Sequence, residues 1–109
     1  YTSSATLGST TTAYSATNES SGTNYTAGGA TISSVTVAKS TSTTYVDFAD
    51  VSWSSATISD AAGALIYNSS ASNKAIAVID FGATKSVTSG TLTVTLPANS
   101  AAAAIIRLK

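Results

Sequence analysis

The clearest pattern in this chain is a series of short apolar segments separated by stretches rich in Ser, Thr, Gly and Asn. Residues 91–96 alternate Thr with Leu or Val, so Leu92, Val94 and Leu96 are predicted to point into a core. Short strands with turn signals at roughly 8 to 12 residue spacing, and without a sustained helical period, indicate an antiparallel sandwich or barrel. We therefore predict an all-β fold, an antiparallel β-sandwich of jelly-roll or immunoglobulin-like type, with a loop-rich N-terminal part.

The second half of the chain carries the strongest strand signals. Residues 74–81 are nearly continuously apolar, which predicts a strand covered on both faces. Residues 60–63 and 82–90 contain turn formers and are predicted to be turns. The predicted strands of this half are 63–67, 74–81, 91–96 and 104–108.

The first half is dominated by Ser and Thr from residue 2 to residue 44. It predicts loops that dock on the domain, followed by a strand near residues 31–38. Residues 43–54 carry apolar side chains of both parities, which indicates either one central strand or two strands broken near Ala49 and Asp50. Tyr14 and Tyr25 lie in polar loops, where a lone aromatic anchors the loop or a partner subunit, so we single them out as candidate subunit-contact residues.

A length of 109 residues is suited to one domain, so residues 1–109 are predicted to form a single β domain. Tyr1 is not an initiator residue, and the opening of the chain is typical of the end of a strand. We therefore expect the full-length protein to have further N-terminal residues. The longest apolar run, residues 101–106, is far shorter than the roughly 20 residues that cross a bilayer, so a membrane partner is not expected.

Charge and residue usage exclude several classes of function. The five Lys and Arg residues balance five Asp and Glu residues, which leaves the chain without the basic surface that nucleic-acid binding requires. Cysteine and histidine are absent, so thiolate nucleophiles, disulfides, the commonest general base and the commonest zinc ligand are missing. We therefore expect that the protein is not an enzyme and uses no cofactor or metal.

Two features that contain acidic residues are candidate sites of chemistry. Residues 80–82 match the Asp-Phe-Gly tripeptide of kinases, but the glycine-rich loop, the strand lysine and the catalytic-loop aspartate are missing from the sequence. Asp47, Asp50 and Asp60 could serve a carboxylate-only glycosidase or a calcium site, but the spacing of a calcium loop is absent. Caps and turn contacts are the favoured interpretation of all three.

The aromatic residues Tyr45, Trp53 and Tyr67 offer a further alternative. Aromatic faces stack on sugar rings, so these three side chains could form a carbohydrate-binding platform. Each of them lies inside an apolar segment, however, which favours packing in the core.

Six strand-like segments follow one another in the chain: TTYVDFADVSW at 43–53, ATIS at 56–59, GALIY at 63–67, AIAVIDFG at 75–82, GTLTVTLP at 90–97 and IIRL at 105–108. Together they resemble small structural proteins from the virions of tailed bacteriophages. The resemblance covers roughly residues 30–109 and is carried by patterns of strand residues rather than by a catalytic signature.

The resemblance implies a structural component of a tailed-phage virion, most naturally a capsid decoration or cement protein on the outer capsid surface. It implies two partners, the major capsid protein and further copies of this chain in a homo-oligomer. Two alternatives stay open. One is a tail, neck or baseplate protein, and the other is a carbohydrate-binding module of a fibre or adhesin.

Overall fold

The computed structural model describes residues 1–98 and 100–108 and is all-β. One short 3₁₀ helix, Ser69–Ala71, interrupts the strands. The predicted fold class, an antiparallel all-β protein with a loop-rich N-terminal part, is confirmed. The strands are β1 (Gly22–Thr23), β2 (Thr36–Ser40), β3 (Thr43–Asp47), β4 (Val51–Asn68), β5 (Lys74–Val94) and β6 (Ile106–Leu108).

The six strands form two antiparallel three-stranded sheets, as expected of a small β-sandwich-like fold. The first sheet has the order β1-β4-β5, and the second has the order β2-β3-β6. By its internal contacts the chain divides into two compact units. Unit 1 comprises Tyr1–Gly29 and Trp53–Leu92, and unit 2 comprises Ala30–Ser52 and Thr93–Lys109.

The turn between β4 and β5 follows from its polar residues. The Asn68 side chain accepts a hydrogen bond from the Ser70 amide at 3.0 Å and caps the 3₁₀ helix. Ser72 and Asn73 then adopt left-handed backbone conformations with φ of 55° and 58°. Short polar side chains tolerate this region better than β-branched ones do, so the segment reverses the chain tightly.

The predicted turns at 60–63 and 82–90 are wrong, because β4 and β5 continue through both segments. The turn formers instead act as irregularities within the strands. Asp60, Gly82 and Ser89 have φ of 55°, 68° and 49°, in the left-handed region. Single left-handed residues are typical of β-bulges, which bend a strand without ending it.

Three other strand predictions are settled by the observed boundaries and exposure. The alternative of a break near Ala49 and Asp50 is confirmed, since β3 ends at Asp47 and β4 begins at Val51. The strand expected near 31–38 begins later, at Thr36, after the left-handed Ser34. The expectation that both faces of 74–81 are covered is wrong, because exposed and half-buried side chains alternate there.

The core of unit 1 is built on the middle of β4. Ala56, Ile58 and Ala61 are buried, with exposed fractions of 0%, 2% and 4%. Five larger side chains that are only partly buried pack around them: Tyr25, Trp53, Phe81, Val87 and Leu92. Buried residues of β4 at the centre and larger side chains around them bring the Tyr25 loop, β4 and β5 together in one cluster.

Unit 2 contains an amphipathic sheet whose register fixes which side chains share a face. Val37 of β2 lies opposite Val46 of β3, and Val46 lies opposite Ile106 of β6. Leu108 lies two residues beyond Ile106 and therefore shares that face. The two residues on the outer strands are open to solvent, with exposed fractions of 70% for Val37 and 69% for Leu108.

In the part of the chain that the structure describes, no helix has the length and apolar character needed to traverse a lipid bilayer.

Candidate functional site

Tyr14 and Tyr25 meet at one carboxylate, that of Glu19. The Tyr14 hydroxyl donates to Glu19 Oε2 and the Tyr25 hydroxyl donates to Glu19 Oε1, each at 2.7 Å. The Gly28 amide donates a third hydrogen bond to Oε1, also at 2.7 Å. We call Tyr14, Glu19, Tyr25, Gly28 and Tyr67 the Glu19 cluster.

The remaining member, Tyr67 of β4, attaches the cluster to the sheet of unit 1. Its hydroxyl donates to the carbonyl of Gly28 at 2.8 Å, and its ring stacks on Tyr14 with centroids 4.9 Å apart. Tyr25 packs at a tilt on Trp53, with centroids 5.6 Å apart. The loop that carries Glu19 is therefore held on β4 through both ring packing and hydrogen bonds.

Local backbone contacts put Glu19 in place. The Glu19 amide donates to the carbonyl of Ala16 at 3.2 Å, which closes a turn in which Asn18 is left-handed. Asn tolerates this conformation and is common in such turns. Tyr14 is fixed by its own amide, which donates to the carbonyl of Asn73 at 2.9 Å.

The network shifts the acid–base properties of its members. Burial raises the pKa of Glu19, but the hydrogen bonds from Tyr25, Tyr14 and Gly28 outweigh burial and hold that pKa below its ordinary value. The hydrogen bond to Glu19, with a contribution from burial, raises the pKa of Tyr14 to about 12. Burial and the same carboxylate also raise the pKa of Tyr25. The stable state at neutral pH is an ionised Glu19 between two neutral phenols.

This arrangement is suited to holding structure rather than to transferring protons. A general acid or base works best with a pKa near the working pH, and these shifts move Glu19 and Tyr14 away from neutrality. Tyr14 and Tyr25 thus anchor their loop, which is one of the two roles considered for them. Their contact with a partner subunit stays a prediction.

Two of the three aspartates considered for chemistry, Asp50 and Asp60, make hydrogen bonds of the kind expected for caps and turns, and the third, Asp47, ends β3. Asp60 accepts from the amide and hydroxyl of Ser3 at 3.2 and 3.1 Å, and Asp50 accepts from the Leu96 amide at 2.8 Å. Within residues 1–98 and 100–108, acidic side chains do not form a group of three that could hold a metal ion. Asp80 similarly accepts from the Gly82 amide at 2.8 Å, as expected of a turn-like bulge.

The three aromatic residues considered as a carbohydrate-binding platform make separate contacts. Tyr67 stacks on Tyr14, Trp53 packs against Tyr25, and Tyr45 lies on β3 opposite Ala38 and Arg107. The rings of Tyr67 and Trp53 therefore pack against neighbouring rings within unit 1. This favours the packing interpretation over a sugar-stacking one.

Glu19 is the residue that sequence reasoning missed. It is the only glutamate in the chain, and it stands between two tyrosines in a segment otherwise made of small polar residues. An isolated carboxylate close in sequence to Tyr14 and Tyr25 could have suggested phenol–carboxylate hydrogen bonds. Tyr67, more than 40 residues away, has no comparable local signal.

Comparisons with known proteins leave the resemblance to phage virion proteins neither supported nor contradicted. The chain matches no protein-family model, no curated protein and no solved structure.

Proposed function

We propose that this chain is a structural component of a tailed-phage virion, a capsid decoration or cement protein that binds the major capsid protein on the outer surface of the head. The observation that carries the proposal is the amphipathic sheet of unit 2. Two segments of the virion-protein resemblance, 43–53 and 105–108, contain β3 and β6 of that sheet.

The apolar face of this sheet has the character of a protein-binding surface. Val37 and Leu108 lie on its two outer strands and are more than two-thirds exposed; Val46 lies on the central strand, and Ile106 lies on β6 with Leu108. Contiguous apolar surface of this kind is rare on proteins that act alone, and it marks binding sites for other proteins. The major capsid protein is the partner that the resemblance implies for it.

The rest of the surface suits a permanent assembly. Only 9% of residues are charged, and the outward positions of the strands are mostly Ser and Thr. Such a surface makes hydrogen bonds through hydroxyl and backbone groups, and these contacts depend less on salt than ion pairs do. A cement protein acts by binding tightly at many equivalent positions, so the proposed role requires no catalysed reaction.

The test is co-sedimentation of the purified chain with shells assembled from the major capsid protein of the phage that encodes it. We expect saturable binding in a fixed ratio to that protein, and loss of binding when Val37→Ser and Leu108→Ser are combined. A matched control changes two exposed threonines of β5, Thr84→Ala and Thr88→Ala, and should bind normally. Shells that do not bind the unaltered chain would exclude the decoration role.

Counting copies per virion separates the head from the tail. A copy number that scales with the major capsid protein is expected for a decoration protein. A small number set by tail symmetry would replace this proposal with a tail, neck or baseplate role.

A further inference from the structure

In the first seven residues of β5, the order of charged and apolar side chains would match the same segment of a second copy placed antiparallel to it. Lys74, Ile76, Val78 and Asp80 are exposed, whereas the residues between them are half-buried. Residues two apart share one face of a strand, so this face presents a cation, two apolar side chains and an anion in that order. We call these four residues the β5 patch.

The apolar centre of the patch is open within the chain. Ile76 is 48% exposed and Val78 is 36% exposed, although both are β-branched residues of a kind that usually packs against a neighbour. An open groove beside them is lined by residues 75–78 and by Gly8, Ser9 and Thr11 of the N-terminal segment. The apolar centre of the patch therefore borders an open groove and stays partly exposed.

The two charges of the patch cannot satisfy each other within one chain. Lys74 and Asp80 are six residues apart, which along a strand is about 20 Å. If a second copy is placed antiparallel about a two-fold axis at Ala77, each Lys74 stands opposite Asp80 of the partner copy. Each Ile76 then stands opposite Val78 of the partner copy. Both ion pairs and both apolar contacts form at once.

We propose that the β5 patch binds the same patch of a second copy of this chain, face to face and antiparallel, about a two-fold axis at Ala77. A two-fold contact uses one surface twice and closes at a dimer. The inference does not depend on the virion role, and its tests use the purified chain alone.

The contact is between faces of β5 rather than between its edges. The Ala75 amide donates to the carbonyl of Thr12, and the Tyr14 amide donates to the carbonyl of Asn73, each at 2.9 Å. The N-terminal segment therefore already occupies the edge where a paired strand would begin. Facing sheets lie about 10 Å apart, a gap that opposed Lys and Asp side chains can span.

The small size of the patch sets the expected affinity. Two apolar side chains per copy and two exposed ion pairs per dimer fall well short of the about 800 Å² per partner of a standard interface. We therefore expect a dissociation constant between about 10 μM and about 1 mM. Because the ion pairs are exposed, added salt should weaken the dimer.

Sedimentation velocity over this concentration range is the first test. The unaltered chain should pass from monomer to dimer, and a chain that stays monomeric up to about 1 mM would overturn the proposal. The variants Lys74→Asp and Asp80→Lys each place like charges opposite one another. Each should weaken the homodimer by at least about tenfold.

Mixing the two variants is the decisive experiment. In a mixed dimer, every charge of one chain again faces the opposite charge of the other, so the mixture should dimerise at concentrations at which neither variant does so alone. Failure of the mixture to dimerise, with both variants folded by circular dichroism, would overturn the proposal. Asp80→Asn, which keeps an acceptor for the Gly82 amide, should weaken the homodimer less than Asp80→Lys does.

The matched control is Lys85→Asp, which makes the same change of charge on β5 outside the patch and should leave dimerisation unchanged. A dimer that is equally sensitive to Lys85→Asp and Lys74→Asp would point to net charge rather than to this contact, and would contradict the proposal. Cross-linking supplies the geometry. Since the chain has no cysteine, a bis-maleimide linker with a reach of about 10 Å, the spacing of facing sheets, should join Ile76→Cys mixed with Val78→Cys into a cross-linked heterodimer.

Discussion

The buried cluster of unit 1 and the sheet of unit 2 treat their large apolar side chains in opposite ways. Unit 1 surrounds Ala56, Ile58 and Ala61 with aromatic and aliphatic residues from the loop, β4 and β5. Unit 2 places Val37 and Leu108 on the outer strands of its sheet, where both are about 70% exposed. Unit 1 thus contains a buried cluster, whereas unit 2 has exposed apolar side chains on the outer strands of its sheet.

The difference shows how a chain with few charges can separate the apolar residues that stabilise the fold from the apolar residues that stay exposed. In unit 1 the N-terminal loop is held down by the Glu19 cluster, so the polar segment adds to the stability of the core. In unit 2 the ladders β2-β3 and β3-β6 define the sheet, while Val37 and Leu108 on its apolar face stay exposed. We therefore expect substitutions in the buried cluster of unit 1 to change stability, and substitutions at Val37 and Leu108 of unit 2 to leave it nearly unchanged.

The largest effect should come from the centre of unit 1. Ile58→Ala removes three carbons from a side chain that is 2% exposed, and should lower the free energy of unfolding by about 2 to 4 kcal/mol. Val37→Ala in unit 2 should change it by no more than about 0.5 kcal/mol, because that side chain is mostly in water. Urea denaturation measures both. Equal losses for the two variants would break the comparison.

The second effect concerns the Glu19 cluster. Glu19→Gln replaces a carboxylate that accepts from two phenols and an amide with a neutral group that accepts through one atom. We expect the free energy of unfolding to fall by about 2 kcal/mol, since hydrogen bonds to a charged group contribute more than those between neutral groups. Asp47→Asn on β3 removes the same charge from unit 2 and serves as the control. If both variants lose the same free energy, the cluster has no special role in unit 1.

A matched pair of glycines tests how closely the N-terminal loop approaches β4. A Cβ on Gly22 would overlap the carbonyl oxygen of Thr57, its neighbour across the β1–β4 ladder, whereas a Cβ on Gly8 would have open space. Gly22→Ala should therefore destabilise the protein by about 1 to 2 kcal/mol through overpacking. Gly8→Ala should have a free energy of unfolding within about 0.5 kcal/mol of that of the unaltered chain. Amide hydrogen exchange at Thr23 would show whether β1 has detached.

Local patterns were sufficient for the fold class but not for the strand boundaries. The alternation at 91–96 predicted which side chains turn inward, and Leu92, Val94 and Leu96 are the half-buried ones. Asp60 and Gly82 were interpreted as turn residues, because turns and bulges use the same left-handed conformation. Only pairing with a neighbouring strand distinguishes them, and a single sequence does not contain that information.

The candidate site shows the same limit. The position of Tyr14 and Tyr25 in polar loops was enough to mark them as anchors, since an isolated aromatic side chain in such a loop needs a surface to pack on. Their shared partner Glu19, and the stacking of Tyr14 on Tyr67, depend on how the loop folds over β4. Contacts over such sequence separations follow from the tertiary fold rather than from any local period.

The smallest effect, and the one most specific to unit 1, is on the pH dependence of stability. The pKa of Glu19 in the folded protein lies below its ordinary value of 4.5. A carboxylate with a lowered folded pKa contributes stability that is present above pH 4.5 and is lost as the pH falls through the folded pKa. At the alkaline end, the pKa of Tyr14 is raised from 10.0 to about 12, so its contribution to stability is present below pH 10 and is lost between the two values.

The free energy of unfolding, measured by urea titration at each pH, should therefore decline below pH 4.5 and above pH 10, and Glu19→Gln should flatten both declines. A variant whose curve is parallel to that of the unaltered chain would show that the network of unit 1 does not stabilise it in the way proposed.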